Sequence, residues 1–144
     1  MSMVIRDATL EEIWALIQRL PEFDDRHQLR DLSARVAERR LFCRIAEVEG
    51  EHAGFKLGYA ENPQNFYSWL GGVLPAYRQR GIAKSLLLDQ EQWCRDQGWQ
   101  SITVKTRNRF TAMLLMLISQ HYQITACASQ PCVHENTLTL IKIL

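Results

Sequence analysis

The sequence has little net charge, few prolines and no long apolar run. Its 144 residues carry a formal net charge of +1 and include 4 prolines. A near-neutral chain lacks the basic surface typical of proteins that bind nucleic acids or anionic membranes. No apolar stretch is long enough to cross a bilayer, and the first residues lack the apolar segment of a signal peptide. We therefore expect a cytoplasmic protein with neither a nucleic-acid nor a membrane partner.

Cysteine is also sparse, and its positions do not form a disulfide framework. Cys43, Cys94, Cys127 and Cys132 fall in segments with helix or strand character, which favours free thiols in a reducing compartment. Cys127, Cys132 and His134 fit no standard zinc spacing, and a fourth ligand is missing. We expect no bound metal.

The apolar periodicity predicts one domain over residues 1–144, with the element order β-α-α-β-β-β-α-β-α-β-β. The fold class is α/β, with a mixed, mostly antiparallel sheet flanked by helices. A strand, a long helix and a strand in succession predict one parallel pair. Strands are predicted at 4–6, 41–48, 52–59, 66–74, 101–106, 122–128 and 137–144, and helices within 9–20, 27–39, 82–97 and 108–120.

The segment around Gly81 carries the chemistry. It joins a strand to an amphipathic helix that starts near Ile82, and the free N–H groups of a helix start bind anions. Gly81 and Ala83 allow close approach of a bulky phosphate, and Arg78, Arg80 and Lys84 add positive charge. The pattern fits a pyrophosphate, although a plain loop with a glycine N-cap fits it equally well.

Arg78, Gly81 and Ala83 match the Arg/Gln-x-x-Gly-x-Gly/Ala signature of the GNAT superfamily of acetyl-CoA-dependent N-acyltransferases. Residues 73–78 resemble the family's lead-in from its fourth strand. Residues 45–55 resemble its second and third strands with their hairpin. The predicted element order agrees over essentially the whole chain, so the sequence resembles this family from end to end.

The resemblance implies a fold whose fourth and fifth strands splay apart around the cofactor. The pantetheine arm would follow the fourth strand, the pyrophosphate would bind the helix start, and Asn108 would bond the pantetheine or the thioester. A bulge at Gly71 and Gly72 would suit this strand, with a close backbone crossing as the alternative. The implied cofactor-binding residues are Gly72, Val73, Leu74, Arg78, Gln79, Arg80, Gly81, Ile82, Ala83, Lys84 and Asn108.

The catalytic groups are harder to assign. The resemblance implies direct attack of the amine on acetyl-CoA, with the N–H of Val73 facing the thioester oxygen. Residues 66–70 lack the glutamate that many members place on this strand, which leaves Glu61 and Glu47 as candidate bases. Leu117, beside Met116, occupies the position of the usual tyrosine acid. Tyr122 is the nearest phenol, with a core role as its alternative.

The acceptor site is expected among the first two helices, the end of the third strand and the last hairpin. Phe23, Asp24, Asp25, Tyr67 and Trp69 are candidate lining residues, and the two acids would attract a cationic amine.

The leading hypothesis is therefore an N-acetyltransferase that acts on a small molecule or a protein amino group. A GNAT-like module that binds acyl-CoA with little or no catalysis is the first alternative. An unrelated phosphate- or nucleic-acid-binding domain is the second, although the sequence lacks the Gly-Lys-Ser/Thr pattern of a P-loop. The last strand, 137–144, is apolar on one face and resembles a sheet edge, which suggests a homodimer.

Overall fold

A computed structural model describes residues 2–23 and 27–144. Its elements follow the predicted order, and two one-turn 3₁₀ segments lie at Pro75–Tyr77 and Val133–Glu135. The strands are β1 (Met3–Asp7), β2 (Leu41–Val48), β3 (Glu51–Ala60), β4 (Asn65–Val73), β5 (Ser101–Arg107), β6 (Gln123–Ala128) and β7 (Thr137–Ile143). The helices are α1 (Leu10–Ile17), α2 (Leu29–Val36), α3 (Ile82–Gln97) and α4 (Thr111–Ser119).

The first helix starts at the predicted capping box and ends earlier than predicted. The Thr9 hydroxyl accepts the Glu12 N–H at 3.2 Å, and the Glu12 carboxylate accepts the Thr9 N–H at 3.0 Å. Regular α-helix stops at Ile17, and a tighter turn carries the chain to Leu20, whose N–H bonds the Ile17 carbonyl. This turn keeps Leu20 buried against Gly72 of β4.

One mixed sheet of seven strands runs in the order β1-β2-β3-β4-β5-β7-β6. Among the described residues only β4 and β5 pair in parallel, from Asn65 opposite Ser101 to Ser68 opposite Val104. Beyond Ser68 the two strands separate, while β5 stays paired with β7 as far as Arg107. The predicted splay between the fourth and fifth strands is therefore confirmed.

The bulge in β4 lies upstream of the position that the glycines suggested. Tyr59 pairs with Tyr67 and Leu57 with Leu70, so two steps along β3 correspond to three along β4. Gly71 and Gly72 follow the bulge and pair regularly with β3. The extra residue sits where β4 leaves β5, and it turns the strand as the pairing ends.

The expectation that the last strand forms a sheet edge is wrong. β7 lies between β5 and β6 in the sheet, and β6 is the outer strand. The hairpin folds back so that β7, with Leu138 and Leu140 buried, fills the inner position. The observation that suggested a homodimer therefore does not apply to this strand.

Helices α1 and α2 cover one face of the sheet, and α3 and α4 cover the other. Phe55 and Leu57 pack with α1 and α2, whereas Phe66 and Ile102 pack under α3 and α4. No helix within the described residues is long and apolar enough to span a membrane.

A buried polar network crosses the interface between α3 and the sheet. Glu91 is 1 % exposed, accepts the Tyr122 hydroxyl at 2.8 Å and the Lys142 ammonium at 2.9 Å, and lies 3.7 Å from Arg95. Burial, followed by the nearby Glu91 carboxylate, raises the pKa of Tyr122.

Candidate active site

The separation of β4 and β5 opens a cavity of about 1110 Å³ that reaches from the start of α3 to α4. Its walls come from both splayed strands, the loop before α3, α4 and the segment after α1. The lining residues are 21–23, 27, 55–56, 68–73, 77–79, 81–84, 86, 104–107, 109–113, 116 and 137.

At one end of the cavity lies the start of α3. Gly81 is the N-cap residue with φ 79° and provides no side-chain cap, and Gln79 also has positive φ, at 63°. Within the described chain, the N–H groups of residues 79–84 have no hydrogen-bond partner. These donors lie at the positive end of the helix dipole, so the loop is suited to bind an anion.

The three cations of the loop differ in their contacts and in their position relative to the cavity. Lys84 lines the cavity and forms no ion pair with any described residue. Arg78 also lines the cavity, but its guanidinium is held by Glu22 at 2.8 and 3.0 Å and donates to the Val73 carbonyl at 2.9 Å. Arg80 lies 5.5 Å from the centre of the Tyr77 ring, outside the lining. Arg78 therefore fixes the shape of the loop, and Lys84 is placed to meet a ligand charge.

The other wall is the unpaired edge of β4. The N–H of Leu74 bonds the Ala53 carbonyl on β3 at 2.8 Å. Because backbone groups alternate in direction along an antiparallel strand, the N–H groups of Gly71 and Val73 turn away from β3 and face the gap. Leu74 is buried in the core and does not line the cavity.

Comparison with known proteins agrees with this geometry. The sequence model of the Acetyltransferase (GNAT) family matches residues 8–114. The chain belongs to the GNAT acetyltransferase family. No curated protein matches the sequence significantly.

Solved structures of GNAT proteins share the fold of this chain at low sequence identity. Ard1 from Thermoplasma volcanium superposes with a TM-score of 0.85 at 18 % identity, covering 100 % of this chain and 99 % of its own. A GNAT family acetyltransferase from Elizabethkingia anophelis with acetyl-CoA bound superposes with a TM-score of 0.76 at 14 % identity, over 99 % of this chain and 98 % of the other. The PaiA N-acetyltransferase from Thermoplasma acidophilum in complex with coenzyme A gives 0.78 at 13 %, covering 100 % of each chain.

In this GNAT protein, Gly72 is required by a close contact rather than by the bulge. A Cβ built on Gly72 would lie 2.7 Å from Leu20 Cδ1 and 3.4 Å from ring atoms of Phe23 and Phe55. Leu20 is 4 % exposed, so it has little room to move. The close-approach alternative for this glycine is the one that the geometry favours.

We expect Gly72→Ala to lower the free energy of unfolding by about 1–3 kcal/mol, because the added methyl overpacks the contact with Leu20. Gly71→Ala is the matched control, since a Cβ there meets the flexible Lys56 side chain at 3.3 Å. Urea unfolding of both variants measures the difference. Equal stability of the two variants would contradict the assignment.

Asn108 is held by hydrogen bonds to the connection between β6 and β7. It precedes α4, and its side-chain amide donates to the Val133 carbonyl at 3.0 Å while its N–H bonds the Asn136 carbonyl. It does not line the cavity. In this structure Asn108 ties the turn after β5 to the connection between β6 and β7.

The candidate catalytic residues lie outside the cavity lining. Glu61 accepts the Asn65 side-chain amide at the closed end of β4. Glu47 lies on β2, two strands away from β4, and forms an ion pair with Arg6 of β1. Tyr122 donates to buried Glu91 in the core. The structure does not bring these three residues together.

Aromatic residues form the side of the gap that faces α1 and α2. Phe23 and Trp69 line the cavity, and the His27 ring lies 5.8 Å from Trp69. Tyr67 lies outside the lining, with the Lys105 ammonium 5.6 Å from its ring centre. Asp24 and Asp25, the other proposed acceptor residues, lie outside the described part of the chain.

Among the described residues, no group of His, Cys, Asp and Glu could hold a metal ion. All four cysteines are free, and Cys127 and Cys132 are exposed.

Lys56 is one of the cavity residues that sequence reasoning missed. It lies on β3, is 5 % exposed and lines the gap. Gly54, Lys56 and Gly58 alternate onto the α3 face of this strand, and the Lys56 side chain extends over Gly71 of β4. A lysine flanked at both alternate positions by glycine, inside an otherwise apolar strand, was the available signal.

Proposed function

We propose that this protein transfers an acetyl group from acetyl-CoA to an amine, by direct attack in a ternary complex. The supporting observation is the helix start with unpartnered N–H groups that opens into a gap with a free strand edge. A diphosphate and an extended amide-bearing arm are the groups that these two features suit. Family membership supports the same proposal, as do structural neighbours that hold acetyl-CoA or coenzyme A.

In the proposed complex the pyrophosphate accepts hydrogen bonds from the N–H groups of residues 79–84, with Lys84 adding a full charge. The pantetheine arm enters beside Val73, next to the loop, and extends along β4 toward the closed end of the gap. The thioester is the far end of that arm, so it reaches Gly71. We therefore assign the oxyanion donor to the Gly71 N–H, one step deeper than Val73.

The amine approaches from the face of Phe23 and Trp69, opposite α3. Glu22 is the only described carboxylate in the lining, and it is already bound to Arg78. The acceptor is therefore expected to attack as the neutral amine and to release its proton to water. Orientation against an activated thioester supplies much of the acceleration.

The alternative is a module that binds coenzyme A with little catalysis. The lack of an unpaired carboxylate among the described lining residues favours it. Detection of acetyl transfer in a panel of amines, with release of free thiol, would exclude this alternative.

Calorimetric titration tests the cofactor site directly. We expect acetyl-CoA and coenzyme A to bind with micromolar dissociation constants, and ATP to bind at least about tenfold more weakly because it has no arm to fill the gap. Tighter binding of ATP than of coenzyme A would favour an unrelated nucleotide site. Folded protein that binds none of the three ligands would reject the acetyltransferase proposal.

A further inference from the structure

Lys56 places a buried ammonium directly above the free edge of β4. Lys56 and Gly71 are cross-strand partners. A Cβ built on Gly71 would lie 3.4 Å from Lys56 Nζ. The side chain is 5 % exposed and lies on the α3 face of the sheet.

This ammonium forms no hydrogen bond and no ion pair with any described residue. Burial lowers the pKa of Lys56 to about 8, and the more distant Glu91 carboxylate opposes that shift. Glu91 is itself held by Lys142 and Tyr122. A buried, unpaired cation is costly to the fold, so Lys56 has no evident structural purpose where it lies.

A second unpartnered polar group lies at the closed end of the same cavity. The Ser68 hydroxyl is buried, lines the cavity, and has no hydrogen-bond partner among the described residues. Ser68 is the last β4 residue paired with β5. The inner end of the gap is therefore polar on the α3 face, and a purely apolar occupant would leave both groups unsatisfied.

In the proposed complex, Lys56 lies next to the reacting atoms. Under the proposed function, the arm enters at Val73 and its thioester reaches Gly71, which is the residue beneath Lys56 Nζ. The acceptor approaches from the opposite face, so Lys56 lies on the side of the leaving sulfur rather than of the attacking nitrogen.

We propose that Lys56 is a catalytic residue whose ammonium stabilises the departing coenzyme A thiolate. The amine nitrogen bonds to the carbonyl carbon, and the carbon–sulfur bond breaks with its electron pair moving to sulfur. The Lys56 ammonium pairs with that sulfur and keeps its own proton. The new amide loses one proton to water, and the thiolate takes one from water when coenzyme A leaves. The inference rests on the proposed function, and it supplies the leaving-group role for which the expected tyrosine is absent.

The thiol pKa of bound coenzyme A tests this role without knowledge of the acceptor. The ultraviolet absorbance of the thiolate is followed against pH for coenzyme A bound to the wild type, Lys56→Met and Lys56→Gln. An unperturbed thiol titrates at about 8.5, and a cation within reach lowers a thiol pKa by about 1–3 units. We expect that shift in the wild type only.

Both uncharged variants are expected to fold, because they remove an unpaired buried charge. Lys105→Met is the matched control, since Lys105 lines the same cavity from the opposite face and is not expected to affect the thiol. If coenzyme A binds all variants with the same thiol pKa, Lys56 has no such role and the cofactor site stands. If the folded wild type binds no coenzyme A, both proposals fail.

Discussion

Gly81→Glu is expected to weaken acetyl-CoA binding at least about a hundredfold while the protein stays folded. The substitution places a carboxylate among the unpartnered N–H groups at the start of α3. It would occupy these donors and repel the pyrophosphate. Loss of two charge-assisted hydrogen bonds, each about 1.5–3 kcal/mol, gives a change of this size. Calorimetric titration measures it.

Two controls separate charge from backbone strain. Gly81 has φ 79°, so any side chain there strains the backbone by about 1–2 kcal/mol. Gly81→Ala carries that strain without the charge, and we expect its affinity to stay within about tenfold of wild type. Gly98→Glu places the same charge at φ 92° at the other end of α3 and should leave the affinity unchanged. Equal losses in all three variants would show that strain alone causes the effect.

Lys142→Met is expected to lower the free energy of unfolding by about 3–5 kcal/mol, the cost of leaving a buried charge without its partner. Glu91 is 1 % exposed, and Lys142 Nζ is its ion-pair partner at 2.9 Å. The Tyr122 hydroxyl and Arg95, whose partly exposed guanidinium lies 3.7 Å from Glu91, remain and compensate only in part for the lost contact. Urea unfolding measures the change.

Lys105→Met is the matched control, because Lys105 lies opposite Thr139 of β7 and is exposed. Its loss removes a cation–π contact of about 0.5–1 kcal/mol. The double variant Lys142→Met with Glu91→Gln is expected to recover part of the stability, since it removes the unpaired charge. A double variant no more stable than Lys142→Met alone would argue against a charge effect.

Local signals in the sequence were sufficient for the architecture. The capping box at Thr9, the glycines that bracket α3 and the alternation in β5 each depend on neighbours in the chain. The element order could therefore be predicted, whereas the splay was implied by the resemblance to the GNAT superfamily. The signal for the proposed phosphate-binding loop was equally local, because Gly81 and the following helix are adjacent in sequence.

What could not be predicted depends on contacts between distant segments. Asn108 looked free to meet a ligand until the connection between β6 and β7 supplied its partner. Arg78 looked like a phosphate cation, and Glu22, 56 positions away, engages it instead. The place of β7 inside the sheet follows from pairing with β5, which no local pattern encodes. Lys56 became notable only when burial and the lack of a partner were visible.

The short pairing between β4 and β5 has a mechanical consequence. Strands β1 to β4 form one group and β5 to β7 another, and within the described chain the two groups pair only through the parallel contact from Asn65 to Ser68. At the open end of the gap, the ion pair between Glu22 and Arg78 stabilises the first group alone. A ligand that fills the gap would contact both groups of strands. It would therefore connect β4 to β5 over the length where the two strands share no hydrogen bonds with each other.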